Sequence, residues 1–243
     1  MSDRHLAWSG IYNARDLGGL ATVEGTLTRR GAVVRSDSLQ SLGSKGWEEV
    51  EAYGIRTVVD LRDESEIGAD AARRPESIET VRIPLDVSED REFWDVWGTG
   101  PQFATPLYYG PHLERFPERS AEVIRAIATA RPGGVVFHCR QGRDRSGQIA
   151  MLVLALAGVE PEAIAADYAL SGERLRRSCR SRGEEDEGPK VAEFLRGRGT
   201  TASEVIVELL TALDVEATLL GAGLAEEDVA ALRRRLVPAG RLA

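Results

Sequence analysis

The apolar positions of this chain follow two rhythms. Residues 55–60 (IRTVVD) and 135–138 (VVFH) are short, nearly continuous apolar runs ending on polar side chains, the pattern of strands buried on both faces of a sheet. Residues 33–35 read as another strand, and residues 80–83 as a fourth, stopped by Pro84. Between these runs the apolar spacing changes to three and four. Residues 45–53 predict a helix closed by Gly54, a residue that accepts the left-handed C-cap conformation. Residues 121–131 place Val123, Ile124, Ile127 and Ala128 on one helical face before Pro132-Gly133-Gly134 breaks it. Residues 146–157 predict an apolar helix after the strand at 135–138. Strands alternating with helices predict an α/β fold, a central, mostly parallel sheet flanked by helices.

Beyond Gly158 the pattern is helical to the end, with Val205, Leu209 and Leu213 on one face and Val229, Leu232 and Leu236 on another. Residues 172–199 are different. They are rich in charge (ERLRRSCRSRGEEDEG) and poor in large apolar groups, so they predict an exposed helix and loop, and a candidate helical lid or insertion at about 172–200. There is no internal repeat and no low-complexity linker. A single domain over residues 1–243, with a helical C-terminal section, is the simplest division.

The 243 residues are 42% hydrophobic, enough for a sizeable core. With 31 Lys+Arg against 39 Asp+Glu the net charge is −8, and the arginines are scattered along the chain, which disfavours a nucleic-acid or membrane-surface role. The longest apolar run, residues 149–159, is shorter than the roughly 20 residues of a bilayer span, so no membrane helix is expected. The first residues carry charge and lack an apolar core, so no secretory signal is read and the expected compartment is cytoplasmic. Two cysteines, Cys139 and Cys179, are too few for a disulfide framework. One of them is a candidate for chemistry.

That candidate sits in residues 135–147, VVFHCRQGRDRSG, where an apolar strand delivers Cys139 into a loop that ends in Arg145 and opens a helix. Successive backbone N–H groups in such a loop converge on an anion, and the helix adds the positive end of its dipole. The same field lowers a thiol's pKa from its unperturbed value of about 8.5, which would make Cys139 a nucleophile. Arg145 offers a planar fork to two phosphoryl oxygens, a geometry lysine lacks. Backbone groups of Arg140, Gln141, Gly142 and Arg143 should face the anion, and the Ser146 hydroxyl should reach the sulfur and ease its departure. His138 is expected to order the loop by hydrogen bonding. A cysteine followed six residues later by arginine arises by chance about 0.2 times in such a chain, and Cys179 fails the test at Glu185. Adding His138, Gly142 and Ser146 makes the full string specific.

His138-Cys139-x5-Arg145-Ser146 resembles the signature of cysteine-based protein tyrosine phosphatases. The loop Gly142-Arg143-Asp144-Arg145-Ser146-Gly147 is closer to a bacterial branch that reads Gly-Lys-Asp-Arg-Thr-Gly, with Arg143 departing from its usual lysine. That branch opens with Asn-x-Arg-Asp-x-Gly-Gly, matched by residues 13–19, and continues with elements matched by Arg35-Ser36-Asp37-Ser38-Leu39 and Asp60-Leu61-Arg62. The resemblance implies hydrolysis of phosphomonoesters through a phosphocysteine intermediate. Its implied substrates are phosphotyrosine proteins, with phosphoserine, phosphothreonine or phosphoinositides as further classes, and phosphate or vanadate as inhibitory oxyanions. No cofactor or metal is implied.

A phenolate leaving group has a conjugate-acid pKa near 10 and needs a carboxylic acid to protonate it at neutral pH. Asp144, inside the loop, is favoured by the resemblance, and Asp86, after Pro84, matches the mobile acid loop of other tyrosine phosphatases. Asp16 and Asp60 are expected to bind loop backbone or arginines. Two readings from other classes compete. A rhodanese-like sulfurtransferase is suggested by Cys139-Arg140-x-Gly142, but Asp144 suits persulfide transfer poorly; a phosphoprotein-binding pseudophosphatase is opposed by intact Cys139 and Arg145.

Overall fold

Three strand runs, at residues 33–36, 55–60 and 134–138, are buried on both faces and form the centre of the sheet, because each has almost no polar side to turn to water. The computed structural model describes residues 4–238. In chain order its regular elements are β1 (Arg15–Asp16), β2 (Val33–Ser36), α1 (Ser44–Ala52), β3 (Ile55–Asp60), β4 (Glu79–Arg82), α2 (Arg91–Trp97), α3 (Tyr109–Arg115), α4 (Pro117–Thr129), β5 (Gly134–His138), α5 (Arg145–Leu156), α6 (Pro161–Arg182), α7 (Gly188–Gly197), α8 (Ala202–Ala212), α9 (Val215–Gly221) and α10 (Glu226–Leu236). The sheet order is β1-β2-β5-β3-β4, antiparallel between β1 and β2 and parallel elsewhere. The α/β architecture is the one the alternation predicts.

Alternation along the central strands divides the core. Val33, Val59, Val135 and Phe137 turn to one face, where α4, α5, α9 and α10 cover them, while Val34, Val58 and Val136 turn to the other, against Trp47 and Val50 of α1. β5 and α5 are the most enclosed elements. All five residues of β5 are buried, and α5 is apolar on nearly every side because it is wrapped by α4, α6 and α10. β4, with exposed residues, is one edge of the sheet, and β1 is the other.

Two expectations need correction, and one element carried no local signal. The acid loop expected after Pro84 is not all loop: Asp90 caps α2 by accepting from Phe93 N at 2.9 Å, and Phe93 buries its ring against His112 and Phe116. Residues 172–199 are not simply exposed. α6 runs to Arg182, and Ile164, Tyr168, Ser171, Leu175 and Ser178 form a buried stripe at spacings of four and three, in which small serines stand where larger apolar groups would have revealed it. The antiparallel β1 gave no periodic signal.

Because Phe137 is fully buried in the central strand, Phe137→Ala should lower the free energy of unfolding by about 3–5 kcal/mol, read from urea denaturation. A loss below about 1 kcal/mol would mean that this strand is not the centre of the core.

Candidate active site

β5 lies between β2 and β3, and its last residue, His138, is in register with Ser36 of β2 and Asp60 of β3. A crevice therefore opens at the carboxyl ends of three parallel strands, where the chain order reverses and where open α/β sheets bind ligands. Into it β5 delivers Cys139, buried at 2% exposure. Its Sγ accepts from the Gly142 N–H at 3.3 Å and lies 3.5 Å from Ser146 Oγ. Gly142 has φ +70°, and a Cβ there would meet Asp37 N at 2.5 Å and Ser36 O at 2.8 Å, so only glycine fits this turn.

The loop from Cys139 to Asp144 has its carbonyls taken up on the outside. Cys139 O accepts from His138 Nδ1 at 3.2 Å, Arg140 O from Ser38 N at 3.1 Å, and Gln141 O from Asn13 Nδ2 at 3.0 Å. Gly142 O accepts from Asn13 Nδ2 and from Arg35 Nη2 at 2.9 Å, Arg143 O from Arg35 Nη2 at 3.1 Å, and Asp144 O from the Tyr109 hydroxyl at 2.8 Å. In a trans peptide the next N–H points away from its carbonyl, and no peptide among the described residues is cis. The N–H groups of residues 140 to 145 thus face the concave side, around the sulfur and before the first turn of α5. Asn13 and Arg35 belong to the two motif segments that the sequence pairs with the loop. His138 itself is pushed down to about 4 by burial, so it is neutral here.

Arg145 opens α5 and turns its guanidinium to the mouth of this cup. Glu66 grips both terminal nitrogens, Nη2 at 2.7 Å and Nη1 more closely, and Asp86 Oδ2 lies 3.5 Å from Nη1. Burial works against the Glu66 charge, but the Arg145 fork outweighs it and holds this carboxyl below its ordinary range. Glu66 was not singled out in the sequence. Its one local signal is the capping box it closes with Asp63, three residues before; the functional contact spans 79 positions.

The two candidate acids sit differently. Both oxygens of Asp144 accept from Arg143 Nε, at 3.1 and 3.3 Å. Asp86 is 15% exposed, and its Oδ1 has no hydrogen-bond partner; Nε2 of buried His112 lies 3.9 Å from it. Burial pushes the Asp86 carboxyl up to about 6, with Arg145 opposing and the charges of Glu66, Asp144 and Asp63 adding. His112, lowered to about 4 by its own burial, offers no positive charge to reverse this. Sequence reasoning missed His112 because a lone histidine on a short mixed helix carries no motif.

Side chains of Arg140 and Gln141 point outward and line a cleft of about 820 Å³ beside the loop, together with Asp37, Ser38, Ser178 and Arg182. The second half of α6 is thus one wall of this cleft. Asp60 accepts both Nε and Nη2 of Arg62, at 2.9 and 2.8 Å, and Asp16 accepts the backbone N–H groups of Gly18 and Gly31, the structural tasks expected for both.

Among the described residues no helix is long and apolar enough to cross a membrane. Comparison with known proteins places this geometry in context. Among curated relatives, a Cupriavidus necator protein provisionally named tyrosine-protein phosphatase is 33% identical over 178 residues, 70% of this chain and 64% of its own length. A tyrosine-protein phosphatase of Nostoc commune is 29% identical over 86% of this chain and 75% of its own. The triple specificity protein phosphatase PtpB of Mycobacterium tuberculosis is 26% identical over 78% and 79%. The chain spans just under two thirds of the Cupriavidus relative. The family model described as the tyrosine phosphatase family matches residues 6–238, nearly everything the structure describes, and the chain belongs to that family.

Proposed function

We propose that this chain hydrolyses phosphomonoesters on proteins, phosphotyrosine foremost, through a phosphocysteine intermediate. The observation that carries the proposal is the buried Cys139 sulfur accepting from the Gly142 N–H, in a loop whose successive carbonyls are all held by other groups and which ends at Arg145. In the first step Sγ attacks phosphorus and the P–O bond to the substrate breaks. The departing phenolate takes a proton from a carboxylic acid. In the second step water attacks the phosphocysteine, the same carboxylate accepts a proton from it, and the S–P bond breaks with the Ser146 hydroxyl facing the sulfur. Equatorial phosphoryl oxygens lie against the loop N–H groups and the Arg145 fork, which stabilise the charge spreading over them.

For the acid we propose Asp86 rather than Asp144. A general acid must hold its proton near working pH, and the surroundings of Asp86 favour the protonated form while both oxygens of Asp144 are already engaged by Arg143. Glu66 is then the group that keeps Arg145 extended toward the cup. The polar cleft beside Arg140 supports a hydrophilic substrate body such as a peptide; phosphoserine, phosphothreonine and phosphoinositide substrates belong in the same assay panel. Phosphate and vanadate should bind as oxyanions of product and transition-state shape. A cytoplasmic site of action, a single domain and a covering role for residues 172–200 complete the reading.

Cys139→Ser should lower hydrolysis of p-nitrophenyl phosphate by at least about a thousandfold while vanadate still binds in calorimetry, since the loop amides remain; surviving turnover would refute the nucleophile. Arg145→Lys should cost about 10²- to 10³-fold in kcat/KM, and unaltered kinetics would remove the fork from the mechanism. Asp86 donates only when protonated, so kcat/KM for a phosphotyrosine peptide should fall as pH rises through about 6. Asp86→Asn should abolish that limb and slow the peptide far more than p-nitrophenyl phosphate. The same pattern in Asp144→Asn, with Asp86→Asn unaffected, would return the acid to Asp144.

A further inference from the structure

Behind the phosphate loop, on the side away from the cup, three arginines share one carboxylate. Asp167 of α6 lies 2.7 Å from Arg4 Nη1, 3.1 Å from Arg15 Nε and 3.0 Å from Arg35 Nη1. Arg15, Arg35 and Asp167 are all buried. Three guanidiniums against one carboxylate leave an excess of two positive charges. Among the described residues no other carboxylate is ion-paired with these three guanidiniums. Asp16 is occupied by the N–H groups of Gly18 and Gly31 and by the Tyr53 hydroxyl, and Asp37 by the N–H groups of Tyr12 and Asn13. Burial first, then repulsion from Arg35, pulls the Arg15 guanidinium down to about 10 against the opposing pull of Asp167.

This cluster is bonded directly to the loop. Arg35 spends Nη1 on Asp167 and Nη2 on the carbonyls of Gly142 and Arg143. Arg15 donates through Nη1 to Asn13 Oδ1 at 2.7 Å, and Asn13 donates through Nδ2 to the carbonyls of Gln141 and Gly142. Arg15 Nη2 reaches Asp167 O and Ser171 Oγ, each at 2.9 Å, which anchors the assembly to α6. A device needed only for stability would gain nothing from surplus buried charge, which costs desolvation energy without an ionic partner.

We propose that Asn13, Arg15, Arg35 and Asp167 are positioning residues of the phosphate loop, whose carbonyls they hold outward, and that their surplus positive charge is completed by the phosphoryl dianion bound on the other side of the loop. The inference rests on the phosphatase reading and assigns a task to two motif segments, residues 13–19 and 35–39, which contact no reacting atom. Arg35 couples charge and reach, so its substitutions separate the two. Arg35→Lys keeps the charge but loses the fork that spans Asp167 and two carbonyls, and Arg35→Met loses both.

The test uses the full chain and orthovanadate as the probe. Vanadate affinity by calorimetry, the rate of Cys139 alkylation by iodoacetamide at pH 7, and KM and kcat for p-nitrophenyl phosphate are measured for wild type, Arg35→Met, Arg35→Lys and Asn13→Ala. Leu232→Ala, a buried position on α10 remote from the loop, controls for lost stability alone. The expected result is at least about tenfold weaker vanadate binding and slower alkylation in Arg35→Met, with smaller losses in Arg35→Lys and Asn13→Ala and none in Leu232→Ala. If Arg35→Met does not fold, the other two variants carry the same test. Folded variants with wild-type affinity and alkylation overturn the inference. Wild-type protein that neither binds vanadate nor hydrolyses p-nitrophenyl phosphate defeats instead the phosphatase reading beneath it.

Discussion

The rest of the site depends on the orientation of six successive peptide groups. A short loop following a buried strand would ordinarily turn its carbonyls and amides whichever way solvent and turn type allow. Here each carbonyl from Cys139 to Asp144 is claimed from outside, by the adjacent histidine and by a backbone amide, an asparagine, an arginine and a tyrosine drawn from three distant parts of the chain. Planarity of the peptide bond converts that outward capture into an inward array of donors. The sulfur, the first turn of α5 and the arginine fork act on a ligand only because the array is fixed before the ligand arrives, so little reorganisation is left for the chemical step.

Burial does different work at the carboxyls around the mouth. Glu66 meets a guanidinium face to face and stays charged, whereas Asp86 shares the same guanidinium at 3.5 Å but has an unpartnered oxygen and a neutral histidine behind it. The balance between lost hydration and a shared cation is thus struck one way at Glu66 and the other at Asp86. Two carboxyls pushed apart in proton affinity are a common arrangement for division of labour, one tending the cation and one carrying a proton.

Much of this was legible in the sequence, for reasons that differ element by element. β3 and β5 announce themselves because a strand buried on both faces leaves no polar alternation, and the 135–147 string is specific because every residue type in it has a chemical reason to be there. What escaped detection lacked a local period. β1 has two residues, α2 mixes aromatics with charge over seven, and the buried stripe of α6 is spelled partly in serine. Glu66 and His112 escaped because their meaning lies in contacts far away in sequence, with Arg145 and with the flank of Asp86. Asp167 escaped for the same reason, since nothing in an amphipathic helix says that one aspartate will gather three arginines.

The position of β5 in the sheet has a consequence for how the protein comes into being. β2 and β3 are neighbours in sequence but not in space, and the gap between them is filled by a strand made some seventy residues after β3 ends. Until that late strand slides between its two parallel partners, neither edge is satisfied and no crevice exists. Insertion of a central strand is a non-local event that pays its loop-closure entropy before any contact repays it, which places it near the end of assembly. An incomplete or newly synthesised chain therefore holds its cysteine in an unformed loop. Reactivity is acquired only when the sheet is whole.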